Sequence, residues 1–204
     1  VLTLAIDVYE PDIRARIRET DVNGGTLLPG DTVLYEIIAN NIGSDPALEC
    51  FITDTIPSNT IYVPESIEIS FGPNTGAKSD AIGDDVAEFI AADNLIKVNI
   101  GAGANAVNGG TLLNSPAGED STVVQFKVVV IEDCVHLSCE PALINRAIIS
   151  GLGDLSGNAF ENLRAFVPLA RAGRYFLPVL SIITGMFSLL FVLGGFINIW
   201  LSSI

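Results

Sequence analysis

Basic residues are scarce in this chain. It has 10 Lys and Arg against 24 Asp and Glu, which gives a formal net charge of −14 over 204 residues. Proteins that bind nucleic acid need a basic surface to displace the counterions of the phosphates, and no run of basic residues is present. The composition therefore argues against nucleic acid as a partner and fits an acidic, secreted or salt-exposed protein.

Residues that carry chemistry are also scarce. His136 is the single histidine, so a Ser–His–Asp triad would depend on it, yet no GxSxG elbow supplies a nucleophile. The glycines form neither a GxGxxG nor a P-loop motif, and nothing singles out two carboxylates for glycoside hydrolysis. The sequence predicts a protein that is not an enzyme, has no cofactor and takes no small-molecule substrate.

The chain is rich in short runs of alternating side chains. In the clearest run, Val33, Tyr35 and Ile37 recur at every second position, which is the period of a strand with two different faces. Residues 40–43 (Asn-Asn-Ile-Gly) have turn chemistry, because Asn and Gly tolerate positive φ. The chain then returns through residues 48–53, so we predict a hairpin of two strands here.

Similar runs recur along the chain with turn signals between them, as in β-sandwiches. They cover residues 1–9, 13–19, 60–63, 66–70, 95–100, 122–131, 142–150 and 159–167. Residues 72–93 form a polar insertion with an acidic patch of Asp80, Asp84, Asp85 and Glu88, and within it we expect a short helix at residues 84–92. The pattern as a whole predicts an all-β domain.

The two strands predicted within residues 30–57 also carry a family resemblance. The run G-D-T-V-x-Y-x-I-x-x-x-N-x-G-x-x-P-A, followed by D-T-I-P within residues 30–57, is similar to the DUF11 domains of bacterial and archaeal surface proteins. Residues 145–151 resemble the closing N-x-A-x-x-S-G strand of that family. The resemblance covers residues 10–165 and implies an Ig-like β-sandwich of the kind repeated on adhesins, S-layer-like proteins and surface fibres. It implies no chemistry.

Together these patterns predict three parts. Residues 1–167 form an Ig-like, DUF11-type β-sandwich of seven to nine strands. Residues 168–174 form a basic linker. Residues 175–204 form one C-terminal hydrophobic α-helix of the transmembrane type.

The helix is predicted because residues 175–204 contain no charged side chain. A helix of this length is about 45 Å long, more than a bilayer's hydrocarbon core requires. Tyr175 and Trp200 lie near its two ends, as interfacial anchors do, and Pro178 lies in its first turn, where a missing N–H matters least. Three glycines would allow other helices to approach closely: Gly185, Gly194 and Gly195.

Two roles for this helix remain open. It could span a membrane as an anchor, or it could pack with the helices of other copies in the core of a filament. Arg164, Arg171 and Arg174 precede it, and the positive-inside rule would then leave the β-domain in the cytoplasm. The family resemblance places the domain outside. The chain starts at Val1 either because a signal peptide was removed or because it is a fragment of a longer chain, and we expect export with a cleaved signal peptide.

The three cysteines divide into a pair and a single residue. Cys134 and Cys139 bracket a four-residue loop, which predicts a disulfide in an oxidising compartment. A zinc site would need more ligands than these two cysteines and His136 provide. Cys50 lies in an apolar strand and is predicted to be a buried free thiol.

Two other sites are candidates. Asp154, Ser156 and Asn158 offer oxygen atoms at alternate positions, a weak Ca²⁺ pattern; capping of a local turn is the alternative. Some surface Ig-like domains contain Lys–Asn isopeptide bonds, and Lys97 or Lys127 with Asn145 is a conceivable pair.

Arginine is concentrated on one strand, as Arg14, Arg16 and Arg18. These side chains either form a solvated face that pairs with local acids, or they dock an acidic partner or lipid headgroups. Residues 1–9 are either an ordinary first strand or a strand given to a neighbouring subunit.

We predict a non-enzymatic structural subunit of a prokaryotic cell-surface assembly, outside the cytoplasm and held by its apolar helix. The alternatives are a pilus-like filament subunit, an accessory subunit of a membrane enzyme complex, and an adhesin. The expected partners are other copies of the chain, other surface or membrane subunits, and membrane lipid.

Overall fold

The computed structural model describes residues 9–115, 121–131 and 143–163, and the backbone of residues 167–168. These residues form thirteen strands: β1 (Ile13–Asp21), β2 (Thr32–Asn41), β3 (Ala47–Thr55), β4 (Thr60–Tyr62), β5 (Glu68–Phe71), β6 (Gly76–Ala77), β7 (Ala87–Ile90), β8 (Leu95–Asn99), β9 (Gly110–Leu112), β10 (Thr122–Val130), β11 (Ile144–Gly153), β12 (Ala159–Leu163) and β13 (Val167–Pro168).

The strands pair in two antiparallel sheets. The first has the order β1-β2-β10-β5-β6, and β4 also pairs with β10. The second has the order β12-β11-β3-β8-β7, with β9 on β3 and β13 on β11. The all-β, sandwich-like architecture is therefore confirmed for the described residues. The strand number exceeds the predicted seven to nine, because pieces of two or three residues such as β6, β9 and β13 are too short to show an alternating pattern.

The core lies between the two sheets. Every second residue of β2 is buried, as are the alternate residues of β10 that face the same way. Tyr35 and Phe126 are fully buried neighbours on these two strands, with ring centroids 5.5 Å apart. The second sheet contributes the buried side chains of Ile52, Ile96 and Ile149. The alternation in the sequence thus identified the inward face of each long strand.

The predicted hairpin of β2 and β3 is wrong. The two strands lie in different sheets, so the segment between them is a corner at which the chain crosses the sandwich. Asn41 holds this corner: its Oδ1 accepts N–H groups of Asp12 and Gly43, and its Nδ2 donates to the carbonyls of Asp45 and Leu112. An alternating strand followed by Asn and Gly residues is typical of a hairpin and of a corner alike, so the sequence pattern does not tell the two apart.

Gly43 is required at the corner for its lack of a side chain. Its φ is not positive, so the reason given by turn chemistry does not apply. A Cβ atom on Gly43 would overlap the backbone of Glu10 and Asp12. Those residues run alongside it, since Ile42 and Ser44 donate to the carbonyls of Asp12 and Glu10 at 2.9 and 3.1 Å.

The expected helix at residues 84–92 is also wrong, because this segment contains strand β7. The Asp85 carboxylate accepts the N–H groups of Ser79 and Ala87 at 2.9 and 2.8 Å and so fixes the turn before the strand. Val86 and Ala87 are then buried, and Glu88 lies directly across from Lys97 of β8. Cross-strand pairing therefore decides the structure of a segment whose apolar residues are too few to show a period.

The chain divides into two compact units, Val1–Ala172 and Gly173–Ile204. The predicted apolar helix belongs to the second unit and lies outside the described residues. Within the described ranges, no helix has the length and apolar character needed to cross a membrane. The proposed domain boundaries and the strand expected at residues 1–9 stay predictions.

Candidate functional site

The predicted Ca²⁺ pattern lies in the turn between β11 and β12. Asp45, which is fully buried, points its carboxylate into this turn and accepts N–H groups from Leu155 at 3.0 and 3.1 Å and from Ser156 at 3.2 Å. The Ser156 hydroxyl accepts the N–H of Asn158 at 3.4 Å. These contacts are those of a capped turn, in which side-chain oxygens satisfy backbone donors.

Sequence reasoning missed Asp45, although this residue organises the turn. Asp154 and Asn158 are exposed beside it, and the described ranges contain no group of three or more His, Cys, Asp or Glu side chains that could hold a metal. Calcium at Asp154, Ser156 and Asn158 stays a prediction that no contact in the turn favours.

A buried polar cluster lies between the two sheets. Asp54 and Asn145 are both fully buried, and Asn145 Nδ2 donates to Asp54 Oδ2 at 2.9 Å. Tyr35 enters from the opposite sheet, and its hydroxyl and Asp54 Oδ1 have no hydrogen-bond partner among the described residues. Burial raises the pKa of the Asp54 carboxyl well above its ordinary value, and the hydrogen bond from Asn145 opposes this only in part. The cluster therefore favours a neutral carboxyl.

The signal for this cluster was present in the sequence. Cys50, Ile52 and Asp54 occupy alternate, inward positions of β3, and Ala147 and Asn145 do so on β11. A carboxyl in the inward register of an otherwise apolar strand must be buried, and it then needs a partner. Because all three polar side chains are closed off from solvent, the cluster supports the core and offers no place for a substrate.

The conceivable isopeptide pairs are not brought together. Lys97 projects from the outer face of the second sheet, where its Nζ lies 3.4 Å from Glu88 and 5.9 Å from the Phe51 ring centre. Lys127 is exposed on the first sheet. The amide of Asn145 instead contacts Asp54, so neither lysine is its partner.

The remaining predicted residues divide by location. Cys50 is buried and free, and burial raises the pKa of its thiol to about 12. The predicted disulfide of Cys134 and Cys139 lies outside the described residues. So do the residues named for the apolar helix: Tyr175, Pro178, Gly185, Gly194, Gly195 and Trp200.

The arginine-rich strand β1 forms one edge of the first sheet. Arg14, Arg16 and Arg18 are exposed on its outer face, and we name these three side chains the arginine stripe. Arg18 lies directly across from Glu36, but the Glu36 carboxylate accepts a hydrogen bond of 2.7 Å from Gln125. Among the described residues the single ion pair within 4.0 Å joins Lys97 to Glu88, so local pairing of the stripe is not observed there.

The acidic insertion lies at the other edge. It connects β6, at the far end of the first sheet, to β7, at the far end of the second. Residues 61–100 contain seven acids and two lysines, a net charge of −5. Asp80 and Asp85 are used internally: Asp80 accepts the Tyr62 hydroxyl at 2.5 Å and the Glu65 N–H at 2.8 Å, and Asp85 caps the turn before β7.

Four other carboxylates of this region are exposed and have no partner among the described residues: Glu65, Glu68, Asp84 and Asp93. Glu68 lies on strand β5 of the first sheet, and we name the other three side chains, Glu65, Asp84 and Asp93, the acidic edge.

The two edges face away from each other. At the arginine side, Asn162 of β12 donates to the carbonyl of Ile13 in β1, which joins the two sheets. At the acidic side, Tyr62 of β4 stacks on Phe89 of β7 with ring centroids 4.3 Å apart, which joins them again. The sandwich therefore presents the arginine stripe at one closed side, where Glu19 and Asp21 of β1 and Glu161 of β12 also lie, and the acidic edge at the opposite one.

A groove of about 460 Å³ opens beside Phe71, between residues 70–75 and the loop around residues 101–113. Its lining combines apolar side chains with the hydroxyls of Ser70, Thr75, Thr111 and Ser121, and no charged side chain of the described residues lines it. The exposed aromatic side chains of the described ranges are Tyr9 and Phe71, which belong to different segments. They do not form the aromatic loop cluster expected of an adhesin.

No protein-family model matches this sequence, and no curated protein matches it. Solved structures do match in fold. The full-length major pilin SpaD from Corynebacterium diphtheriae superposes with a TM-score of 0.50 at 13% identity, over 77% of this chain and 35% of that one. This chain's fold is similar to that of a pilin. It spans about a third of the pilin's length.

Two further structures are similar over much of the chain. The collagen binding subdomain of the Enterococcus faecalis surface protein ACE has a TM-score of 0.44 at 17% identity, over 78% of this chain and 96% of that one. The T6 backbone pilin of Streptococcus pyogenes has a TM-score of 0.38 at 12% identity, over 78% and 34%. At such identities the likeness concerns the fold alone.

Proposed function

We propose that this protein is a non-enzymatic structural subunit of a prokaryotic cell-surface assembly, with its β-sandwich outside the cytoplasm. The observation that carries the proposal is the two-sheet sandwich itself, whose fold is similar to that of the pilin SpaD. The polar side chains at its predicted and observed sites serve the fold: Asn41 holds a corner, Asp45 caps a turn and Asn145 pairs with Asp54.

The finer parts of the proposal rest on the sequence. The motifs in residues 30–57 and 145–151 support a DUF11-type domain, and the uncharged residues 175–204 support an apolar helix. That helix would hold the subunit, either as an anchor in lipid or in the core of a filament. An accessory subunit of a membrane enzyme complex is the rival with the same architecture.

The test is to extract the native full-length protein in mild detergent and to image it by electron microscopy. Regular polymers would support a filament subunit, and one copy inside a complex of foreign subunits would support the accessory role. Single small particles that remain on the surface of intact cells would support a simple anchored domain. Protein that is cytoplasmic, protected from protease added to intact cells, would refute the proposal.

A matched pair of variants addresses the helix. Phe191→Lys places a charge in the middle of the uncharged segment, and Ser203→Lys places the same charge at its end. A charge at the centre of an apolar helix is costly in lipid or in a packed core. Phe191→Lys should therefore release the protein from its assembly while Ser203→Lys should not; equal behaviour of the two variants would contradict a role for the helix.

A further inference from the structure

The arginine stripe is unusual within this protein. Seven of the described residues are Lys or Arg, and three of them lie at alternate positions on the outer face of one edge strand. Charged side chains on an edge strand also discourage unwanted strand pairing. Acidic or basic side chains would serve that role equally well, yet all three positions are arginine in a chain of net charge −14. Arginine binds carboxylates with a planar, bidentate geometry, so its use here indicates an acidic partner surface.

A surface of that kind exists on the same molecule. The acidic edge carries three exposed carboxylates, which have no partner within the described ranges. It lies on the side of the sandwich opposite to the stripe, because β1 and β12 close one side and β4 and β7 close the other. One molecule therefore cannot join its own stripe to its own edge.

We propose that the arginine stripe of one copy docks on the acidic edge of the next copy. The two surfaces differ, so the contact is head-to-tail and leaves one free stripe and one free edge on every dimer. Contacts of this kind give open rows when the rotation between copies does not close a ring. This inference rests on the proposed function and adds to it the surface by which β-sandwiches would meet side by side.

Charge reversal of each surface provides the test, with the full-length protein in mild detergent. The stripe variant is R14E/R16E/R18E, and the edge variant is E65K/D84K/D93K. All six side chains are exposed, so the variants should fold. K127E, a reversal of an exposed lysine on the same outer face, is the control. Assembly is followed by sedimentation and by electron microscopy.

Each triple variant alone should assemble poorly, because like charges then face each other across the contact. Surface ion pairs are individually weak, and loss of three with added repulsion should raise the concentration for half-assembly roughly tenfold or more. An equimolar mixture of the two variants should assemble again, since the acidic stripe of one then meets the basic edge of the other. K127E should assemble like the wild type.

Several results would overturn the inference. If the wild-type protein assembles and the stripe variant assembles equally well, the contact between stripe and acidic edge is refuted, while the proposed function is not. The stripe variant could fail to assemble and not be rescued in the mixture, while the wild-type protein binds vesicles of anionic phospholipid and the stripe variant does not. This combination would overturn the inference and assign the stripe to lipid headgroups. A wild-type protein that never self-associates and is found in no assembly would refute the proposed function itself.

Discussion

The buried Asp54 makes the stability of this protein depend on pH in an unusual direction. Its ordinary pKa of 3.8 is raised in the folded protein, chiefly by burial. Between pH 3.8 and the folded pKa, the folded state keeps a proton that the unfolded state has lost. The free energy of unfolding therefore falls as the pH rises through this window, whereas paired carboxylates at protein surfaces give the opposite trend.

Asp54→Asn should remove this dependence. An asparagine keeps the size of the side chain and an oxygen that can accept the Asn145 hydrogen bond, now 2.9 Å long, but it cannot ionise. The free energy of unfolding of the variant minus that of the wild type should grow by about 1.4 kcal/mol for each pH unit inside the window. For a domain of this size, each kcal/mol corresponds to about 2–4 °C in Tm.

The assay is urea unfolding of the full-length protein in detergent, followed by far-ultraviolet circular dichroism between about pH 3.5 and pH 7.5. Glu68→Gln, at an exposed carboxyl outside the acidic edge, is the control for loss of a surface carboxyl. Two other titratable groups act here: Tyr35 of the cluster itself and Glu19, which lies across from Tyr35 on β1. Burial raises the pKa of each. If the difference for Asp54→Asn stays constant across the range, the carboxyl ionises without cost and the reasoning is wrong.

Three further predictions concern the corner and the core. Asn41→Ala should lower the free energy of unfolding by about 2–4 kcal/mol in urea titrations, because it removes two acceptor and two donor contacts at a buried site; a loss below about 1 kcal/mol would contradict its role. Gly43→Ala should destabilise more than Gly83→Ala, since a Cβ overlaps the Glu10 and Asp12 backbone at the first position, whereas at the second it meets open space and only the φ of 81° opposes it. The Cys50 thiol should resist alkylation at pH 8 until the protein unfolds, because it is buried and its pKa is about 12; peptide mapping by mass spectrometry would detect early labelling.

The inward faces of the strands could be predicted from the sequence because period-2 alternation directly reports burial. Val33, Tyr35 and Ile37 follow this rule and are buried as expected. The sheet to which each strand belongs could not be predicted, since β2 and β3 are joined by the same Asn and Gly residues that would form a hairpin. The difference is made by contacts distant in sequence, such as Asn41 with Leu112.

The candidate sites show the same division. Oxygen ligands at alternate positions suggested Ca²⁺ at residues 154–158, but the carboxylate that reaches this turn comes from Asp45, more than a hundred residues earlier in the chain. The arginine stripe was visible in the sequence as an alternating pattern. Its position opposite the acidic edge depends on strand order, which no local pattern specifies.

Folding and assembly of this protein should respond differently to salt. Cohesion between the sheets relies on apolar packing and on a buried carboxyl–amide pair, and salt screens such buried contacts little. The stripe and the acidic edge are exposed, so raising the ionic strength from about 0.05 M to 0.5 M shortens the Debye length to a few ångströms and should weaken their contact. Salt should therefore dissociate rows of subunits without lowering the free energy of unfolding. If the protein unfolds at the same salt concentration at which its rows dissociate, the sandwich needs its neighbours in order to fold. That result would contradict a self-contained domain joined through its charged edges.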